Sequence, residues 1–175
     1  MITIKDKTFV PFITSEAIQE RIQELAEQIN QAYAGKTPLI VVVLNGAFLF
    51  AADLAKRLTI PCEITFLRVS SYKGTESTGQ LKEILGLTES VANRDLIVVE
   101  DIVDTGKTLC DIRDQLQAQG PSSLAIATLL FKPEALQKPI DLQYVGFEIE
   151  NKFVLGYGLD YDGLGRNTPD ILVLE

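Results

Sequence analysis

An apolar run, Leu96-Ile97-Val98-Val99, leads straight into two adjacent carboxylates, Glu100 and Asp101, and a third acid, Asp104, opens the string Asp104-Thr105-Gly106-Lys107-Thr108. These residue types can do chemistry together. Backbone N–H groups in a tight strand-to-helix turn, with a helix N-terminus behind them, suit a phosphate. Thr105 and Thr108 add hydroxyl donors, and Gly106 lets the backbone come close to a ligand. Glu100 and Asp101 repel each other unless something cationic or hydroxyl-rich sits between them; ribose hydroxyls or a magnesium ion would serve. Asp104 stands between carboxylates and phosphate turn, and so can reach a group attached to a sugar phosphate. An acidic loop that merely caps the next helix suits one such acid better than the ordered set. Thr105-Gly106-Lys107-Thr108 also resembles the tail of a nucleotide-binding P-loop. That motif needs glycine where Asp101 stands, so the P-loop reading fails.

Composition narrows the chemistry. The chain has no histidine, which removes every Ser-His and Cys-His mechanism; a general base must be a carboxylate, a lysine or a tyrosine. Cys62 and Cys110 lie in apolar patterns and read as buried free thiols in a reducing cytoplasm. Two cysteines without histidine cannot build a structural zinc site. A net charge of −8 argues against a protein that grips nucleic acid through general electrostatics. No apolar run reaches the roughly 18–20 residues that cross a bilayer. Lys5 and Asp6 interrupt any signal-peptide core, so no membrane partner and a cytoplasmic location are expected. The 175 residues, 46% of them hydrophobic, fit one domain over 1–175.

The elements that must position these residues follow from periodicity. Residues 2–13 read as a short or edge strand carrying Val10-Pro11. Thr14-Ser15-Glu16 supplies helix caps, and Ile18, Ile22, Leu25, Ile29 and Tyr33 recur at helical spacing until Gly35. Leu39 to Leu44 is a near-continuous apolar strand, of the kind buried on both faces. Ala47 to Leu58 reads as a helix and Ile60 to Val69 as a strand. A long polar loop, Ser70 to Gln80, follows, and Leu81 to Leu87 returns as a strand. Asp95 to Val99 is the strand before the acids, and Thr108 to Gln119 a helix stopped by Gly120-Pro121. Ser123 to Phe131 is a strand, Lys132-Pro133-Glu134 a turn, and Tyr144 to Glu148 and Phe153 to Gly158 two short strands. Strands alternating with helices predict an α/β fold with a mainly parallel sheet. Ligands bind at the carboxyl ends of such strands, which puts Asn45-Gly46, Arg68 to Tyr72, Glu100 to Thr108 and Lys132 at one rim.

The string Val99 to Thr108 resembles the phosphoribosyl-diphosphate (PRPP) binding signature of type I phosphoribosyltransferases. The wider chain is similar to bacterial hypoxanthine phosphoribosyltransferases, through Leu44-Asn45-Gly46, Ser71-Tyr72, Lys132, Val145 to Glu148, Lys152-Phe153-Val154, Leu159-Asp160-Tyr161 and Arg166. The resemblance implies a twisted sheet flanked by helices, with a small hood from the N- and C-terminal segments. It implies purine salvage: magnesium-dependent transfer of phosphoribose from PRPP to N9 of hypoxanthine or guanine. Glu100 and Asp101 would hold the ribose hydroxyls and help bind Mg2+, with Asp160 at a second magnesium. Asp104 would be the general base near the purine's N7, and Asp104, Thr105, Gly106, Lys107 and Thr108 would hold the 5′-phosphate. Leu44, Asn45 and Gly46 would contact pyrophosphate, often through a non-proline cis peptide, together with Arg166; Asn45 brings no side-chain charge where some members have lysine. Ser71 and Tyr72 would form a lid. Phe153 would stack on the purine, and the Val154 carbonyl would accept from a ring N–H. Lys132, a donor only, would pair with a 6-oxo group and meet adenine's amino group donor to donor. A homodimer or homotetramer is implied. The alternatives are a phosphoribosyltransferase for another base such as xanthine, and a regulator of the same fold that binds RNA or DNA, against which the −8 charge weighs.

Overall fold

The computed structural model describes residues 1–69, 84–85 and 87–175, the side chains of 84–85 aside. In chain order the elements are β1 (Ile2–Ile4), β2 (Lys7–Ile13), α1 (Ser15–Ala32), β3 (Leu39–Leu44), α2 (Phe48–Ala55), β4 (Glu63–Val69), β5 (Ile84–Leu85), β6 (Asp95–Val103), α3 (Lys107–Gln117), β7 (Ser123–Phe131), a 3₁₀ turn (Pro133–Ala135), β8 (Tyr144–Glu148), β9 (Val154–Leu155) and β10 (Ile171–Leu174).

The larger sheet runs β5-β4-β3-β6-β7-β8. Its strands β4, β3, β6, β7 and β8 are parallel, and β5 joins the edge antiparallel to β4. The apolar runs of β3 and β6 follow from burial on both faces. Ile40, Val42, Ile97 and Val99 pack under α1 and α2, whereas Leu39, Val41, Leu96 and Val98 pack under α3. The Thr14 hydroxyl caps α1 by accepting from the Ala17 N–H at 3.3 Å. Ile18, Ile22, Leu25 and Ile29 of that helix are buried, as the spacing predicts. The Arg21 guanidinium on its flank donates to the carbonyls of Val145 and Gly146, each at 2.8 Å, and ties α1 to the edge strand β8.

A second, antiparallel sheet, β1-β2-β10-β9, joins the two ends of the chain over a cluster of Phe9, Leu155 and Leu172. It is the hood. Because the large sheet is parallel, the carboxyl ends of β3, β6 and β7 share one rim.

Several boundaries differ from expectation. Residues 2–13 form a two-stranded hairpin rather than one strand, because Lys5 takes a left-handed conformation (φ 55) at the turn. The expected helix 47–58 stops at Ala55, and the strand from Ile60 begins only at Glu63, where pairing with Leu39 starts. The 153–158 strand shrinks to Val154–Leu155, since Gly156 and Gly158 hold φ 98 and 101 and turn the chain away. Cys110 is buried and Cys62 only partly so; both are free thiols. The expected polar loop, with the lid residues Ser71 and Tyr72, lies outside the described residues, as does most of the Leu81 to Leu87 return.

Candidate active site

The acidic pair sits in a strand and not in a loop. Val99 is the last β6 residue paired with β3, but β6 continues beside β7, pairing Glu100 with Thr128, Ile102 with Leu130 and Val103 with Phe131. The backbone is thus held rigid under both carboxylates. Glu100 is buried, and its carboxylate accepts the Asp101 N–H at 3.0 Å. Asp101 accepts the Ile102 N–H at 2.7 Å. Burial, and then the neighbouring Asp101 charge, push the Glu100 carboxyl well above the usual range. Burial also raises Asp101, against the pull of Glu100 as hydrogen-bond donor and of the Arg166 charge. The pair is therefore electrostatically short of a positive charge or of hydroxyl donors. Among the described residues no three of His, Cys, Asp and Glu gather into a metal cage. Two adjacent hard carboxylates nonetheless fit magnesium, which is commonly bound by one or two carboxylates plus waters and phosphate oxygens.

Beyond Val103 the chain turns into α3. Gly106 holds φ 76, and a Cβ there would lie 2.8 Å from both Leu136 Cδ1 and the Lys138 carbonyl oxygen, so only glycine fits. The N–H groups of Gln137 and Lys138 donate to the Thr105 carbonyl at 2.9 and 3.2 Å, which braces the turn from behind. Asp104, Thr105, Gly106 and Thr108 line a concavity of about 100 Å³, floored by Glu100 and Leu109. That is the space of about three water molecules, enough for a phosphate group.

The loop after β3 meets the acids directly. The Leu44–Asn45 peptide is cis. A Cβ on Gly46 would lie 1.5 Å from Asp101 Oδ2, and one on Gly158 would lie 2.0 Å from the Gly46 carbonyl oxygen. Gly46 is therefore held between the Asp101 carboxylate and the Gly158 backbone, with no room for a side chain at either contact.

Lys132 sits at this rim, whereas Phe153 lies in the hood, next to β9. The Lys132 N–H donates to the Val103 carbonyl at 2.9 Å, which fixes it beside the β6 end. Its residue is 6% exposed, and Nζ lies 3.3 Å from Asp104 Oδ2. A buried ammonium needs a partner, and Asp104 provides one. Phe153 is 42% exposed and packs against Phe9 and Tyr161 at centroid distances of 6.1 and 5.9 Å. The ring thus offers a supported surface rather than serving as core. Val154, beside it, is buried on β9. The Lys7 ammonium, unflagged by sequence patterning, stands 5.3 Å from the Phe153 centroid and 4.7 Å from that of Tyr161.

Asp160 and Arg166 are brought together rather than left to separate tasks. Arg166 donates to Asp160 Oδ1 and to the Gly158 carbonyl, both at 2.6 Å, and Asp160 Oδ2 accepts the Gly163 N–H at 2.7 Å. Lys107 is exposed at the start of α3, and its own N–H approaches Thr105 Oγ1 at 3.4 Å. Sequence reasoning missed Gly158, whose signal was the Gly156-Tyr157-Gly158 alternation, and missed Tyr157 and Asp53, whose pairing across 104 residues no local pattern carries.

A strand-to-helix turn after two rim carboxylates, on a parallel sheet with a hood, is the arrangement that the resemblance to type I phosphoribosyltransferases implies. In agreement, residues 13–162 match the model of the phosphoribosyl transferase domain, and the chain belongs to that family. Its branch is that of the hypoxanthine-guanine phosphoribosyltransferases, enzymes of purine salvage. It is 43% identical over 170 residues to the hypoxanthine-guanine phosphoribosyltransferase of Mycobacterium bovis, covering 93% of this chain and 84% of that one. Against the enzyme of the same name from Streptococcus thermophilus it is 42% identical over 163 residues, covering 93% and 91%. A solved hypoxanthine phosphoribosyltransferase of Staphylococcus aureus superposes with a TM-score of 0.87 at 42% identity, covering 95% of this chain and 91% of that one. The chain also matches the bifunctional protein TilS/HprT of Listeria monocytogenes at 43% identity, spanning only 25% of that longer protein.

Proposed function

We propose that this enzyme transfers the phosphoribosyl group of PRPP to N9 of a 6-oxopurine, hypoxanthine and also guanine, giving inosine or guanosine monophosphate and pyrophosphate. The observation that carries this reading is the Lys132–Asp104 pair, 3.3 Å apart at the rim beside the phosphate turn. One residue offers only donors and the other only acceptors, which are the groups needed at O6 and at the N7 proton of a 6-oxopurine.

The residues then divide the work. The Asp104 to Thr108 turn binds the 5′-phosphate, and Glu100 and Asp101 take the ribose hydroxyls below the sugar, where their charge suits the cation-like ribose. Lys132 turns from Asp104 to the purine oxygen as the base enters. Phe153 stacks on the ring, and the Val154 carbonyl accepts from a ring N–H. Asp104 takes the N7 proton as N9 attacks, a role worth about 10²–10⁴-fold. The Leu44-Asn45-Gly46 backbone and Arg166 bind the leaving pyrophosphate. Glu100, Asp101 and Asp160 are the residues that would hold Mg2+, which when bound offsets negative charge on the pyrophosphate. Ser71 and Tyr72 are assigned the lid on the resemblance alone.

The same proposal has 1–175 acting as one cytoplasmic domain, with no nucleic acid or membrane partner, assembled as a homodimer or homotetramer. Ile64 and Phe66, exposed on one face of β4, are apolar surface that such assembly would cover. Among the described residues no helix is long and apolar enough to cross a membrane.

The test is a panel of hypoxanthine, guanine, xanthine and adenine with PRPP, with and without Mg2+. Hypoxanthine and guanine should yield nucleotide and pyrophosphate only with the metal, and adenine should yield none. Absence of turnover with every 6-oxopurine would sink the proposal, and metal-independent turnover would remove magnesium from it.

A further inference from the structure

Tyr157 takes no part in the chemistry above, yet it is buried in a loop with every mark of a fixed geometry. It holds a left-handed backbone (φ 45) between Gly156 and Gly158. Its N–H donates to the Thr168 carbonyl at 2.8 Å, and the next N–H, of Gly158, donates to the Arg166 carbonyl at 2.9 Å. The side chain runs inward to the helix layer. Its hydroxyl donates to Asp53 Oδ2 at 2.5 Å, and Gln19 Nε2 reaches the same carboxylate oxygen at 2.8 Å. Lys56 Nζ engages the other oxygen at 2.6 Å, and Arg57 donates to Gln19 Oε1 at 2.7 Å. Burial and the Asp53 carboxylate both push the Tyr157 hydroxyl above a phenol's usual range, so it stays protonated and donating.

The position of Asp53 gives the bond its consequence. It lies on α2, the helix that follows the Leu44-Asn45-Gly46 loop directly. From Asp53 the connections run through Tyr157 to Gly158, and Gly158 packs on the Gly46 carbonyl. Gly158 also receives the Arg166 guanidinium on its own carbonyl. The circuit closes through one side chain. We infer that Tyr157, clamped to Asp53 on α2, is a positioning residue that sets the gap between the Leu44-Asn45-Gly46 loop and the Asp160–Arg166 loop, and thereby the fit of the pyrophosphate group. The proposal rests on the pyrophosphate assignment made above. It requires no contact between Tyr157 and substrate.

Tyr157→Phe deletes the short bond to Asp53 together with the longer contacts of the hydroxyl to Gln19 Nε2 at 3.4 Å and the Leu49 carbonyl at 3.5 Å, and leaves Asp53 with Lys56 and Gln19, so the fold is retained. The KM for PRPP should rise about tenfold, the value of a hydrogen bond to a charged group, while the KM for hypoxanthine stays within about twofold. Asp53→Asn keeps an oxygen that accepts from Tyr157, so its PRPP KM should stay near that of the unaltered enzyme even though its Tm falls. Asp53→Leu should reproduce the PRPP defect of Tyr157→Phe. A purely structural role would lower Tm in the three variants and leave the PRPP KM unmoved, which would overturn the inference. Arg166→Ala separates the two levels. If it weakens PRPP binding and Tyr157→Phe does not, the positioning role is wrong; if it leaves PRPP binding unchanged, the pyrophosphate assignment falls and the inference with it.

Discussion

Gly46→Ala is a one-methyl perturbation aimed at the contact between the Leu44-Asn45-Gly46 loop and the acidic pair. Gly46 does not hold a positive φ, so its backbone accepts alanine; the difficulty is space. The added Cβ would fall 1.5 Å from Asp101 Oδ2 and 2.4 Å from Asp101 Cγ. Ordinary non-bonded contact is about 3.5–4.0 Å, so one partner must retreat by about 2 Å. Either the Asp101 carboxylate swings out, giving up the Ile102 N–H it accepts at 2.7 Å, or the Gly46 loop lifts toward Gly158, where a carbonyl-to-backbone contact is already tight. Both responses move a group assigned to PRPP. A displacement of about 1 Å at a reacting centre costs about 10²-fold, so kcat/KM for PRPP should fall by at least that factor, about 2.7 kcal/mol of transition-state stabilisation. Stability should change far less, because the lost hydrogen bond is worth about 1 kcal/mol, or about 2–4 °C in Tm. Steady-state kinetics with PRPP varied, alongside calorimetric melting, reads both quantities. The cause is isolated by repeating the substitution in an Asp101→Ala background, where the methyl has nothing to strike and should cost less than about threefold. Gly46→Ala activity within about threefold of the unaltered enzyme, or an equal penalty in both backgrounds, would show that the contact does not govern the site.

Two further perturbations follow from the same geometry. Asp104→Asn keeps a carbonyl oxygen toward Lys132 but removes the proton acceptor, so kcat should fall by about 10²–10⁴-fold while equilibrium PRPP binding changes little; equal activity would strip Asp104 of the base role. Asp53 reports on pH. Burial pushes its carboxyl up, but hydrogen bonds from Lys56, Tyr157 and Gln19 outweigh that and hold it below 3.8. A depressed acid stabilises the fold above its unfolded pKa and loses that contribution as pH falls through the folded value. The Tm gap between the unaltered enzyme and Asp53→Asn should therefore be full at neutral pH and close as the pH falls below the ordinary carboxylate range. A gap that stayed constant in melts across that range would mean the Asp53 charge contributes nothing.

The sheet was legible because its strands are buried on both faces, and runs such as Leu39 to Leu44 can be little else. The strand-to-helix turn was legible because its signals are local: Asp104 to Thr108 carries hydroxyls, a glycine and a helix start in one string. The end of β6 was misjudged for the same local reason. Apolarity stops at Val99, but the strand continues because β7 still offers partners through Phe131. The Lys5 turn was hidden because a left-handed lysine leaves no glycine signal. The C-terminal loop was the hardest stretch. Asp160 and Arg166 were readable as an acid and a base with separate tasks, whereas their pairing depends on a chain reversed by Gly156, Gly158, Gly163 and Gly165, all at positive φ. Tyr157 and Asp53 were out of reach because their meeting depends on how the hood sits on the helix layer.

The proposed division of the site into a sugar-phosphate half on β6 and a base-reading half in the C-terminal third rests on Lys132. The most direct measurement is the ratio of kcat/KM for hypoxanthine to that for adenine, compared between the unaltered enzyme and Lys132→Ala. Loss of the ammonium should lower the hypoxanthine value by well over tenfold and leave adenine little changed or improved, so the ratio collapses. A ratio unchanged by the substitution would mean that Lys132 only holds Asp104 and that the purine is chosen elsewhere.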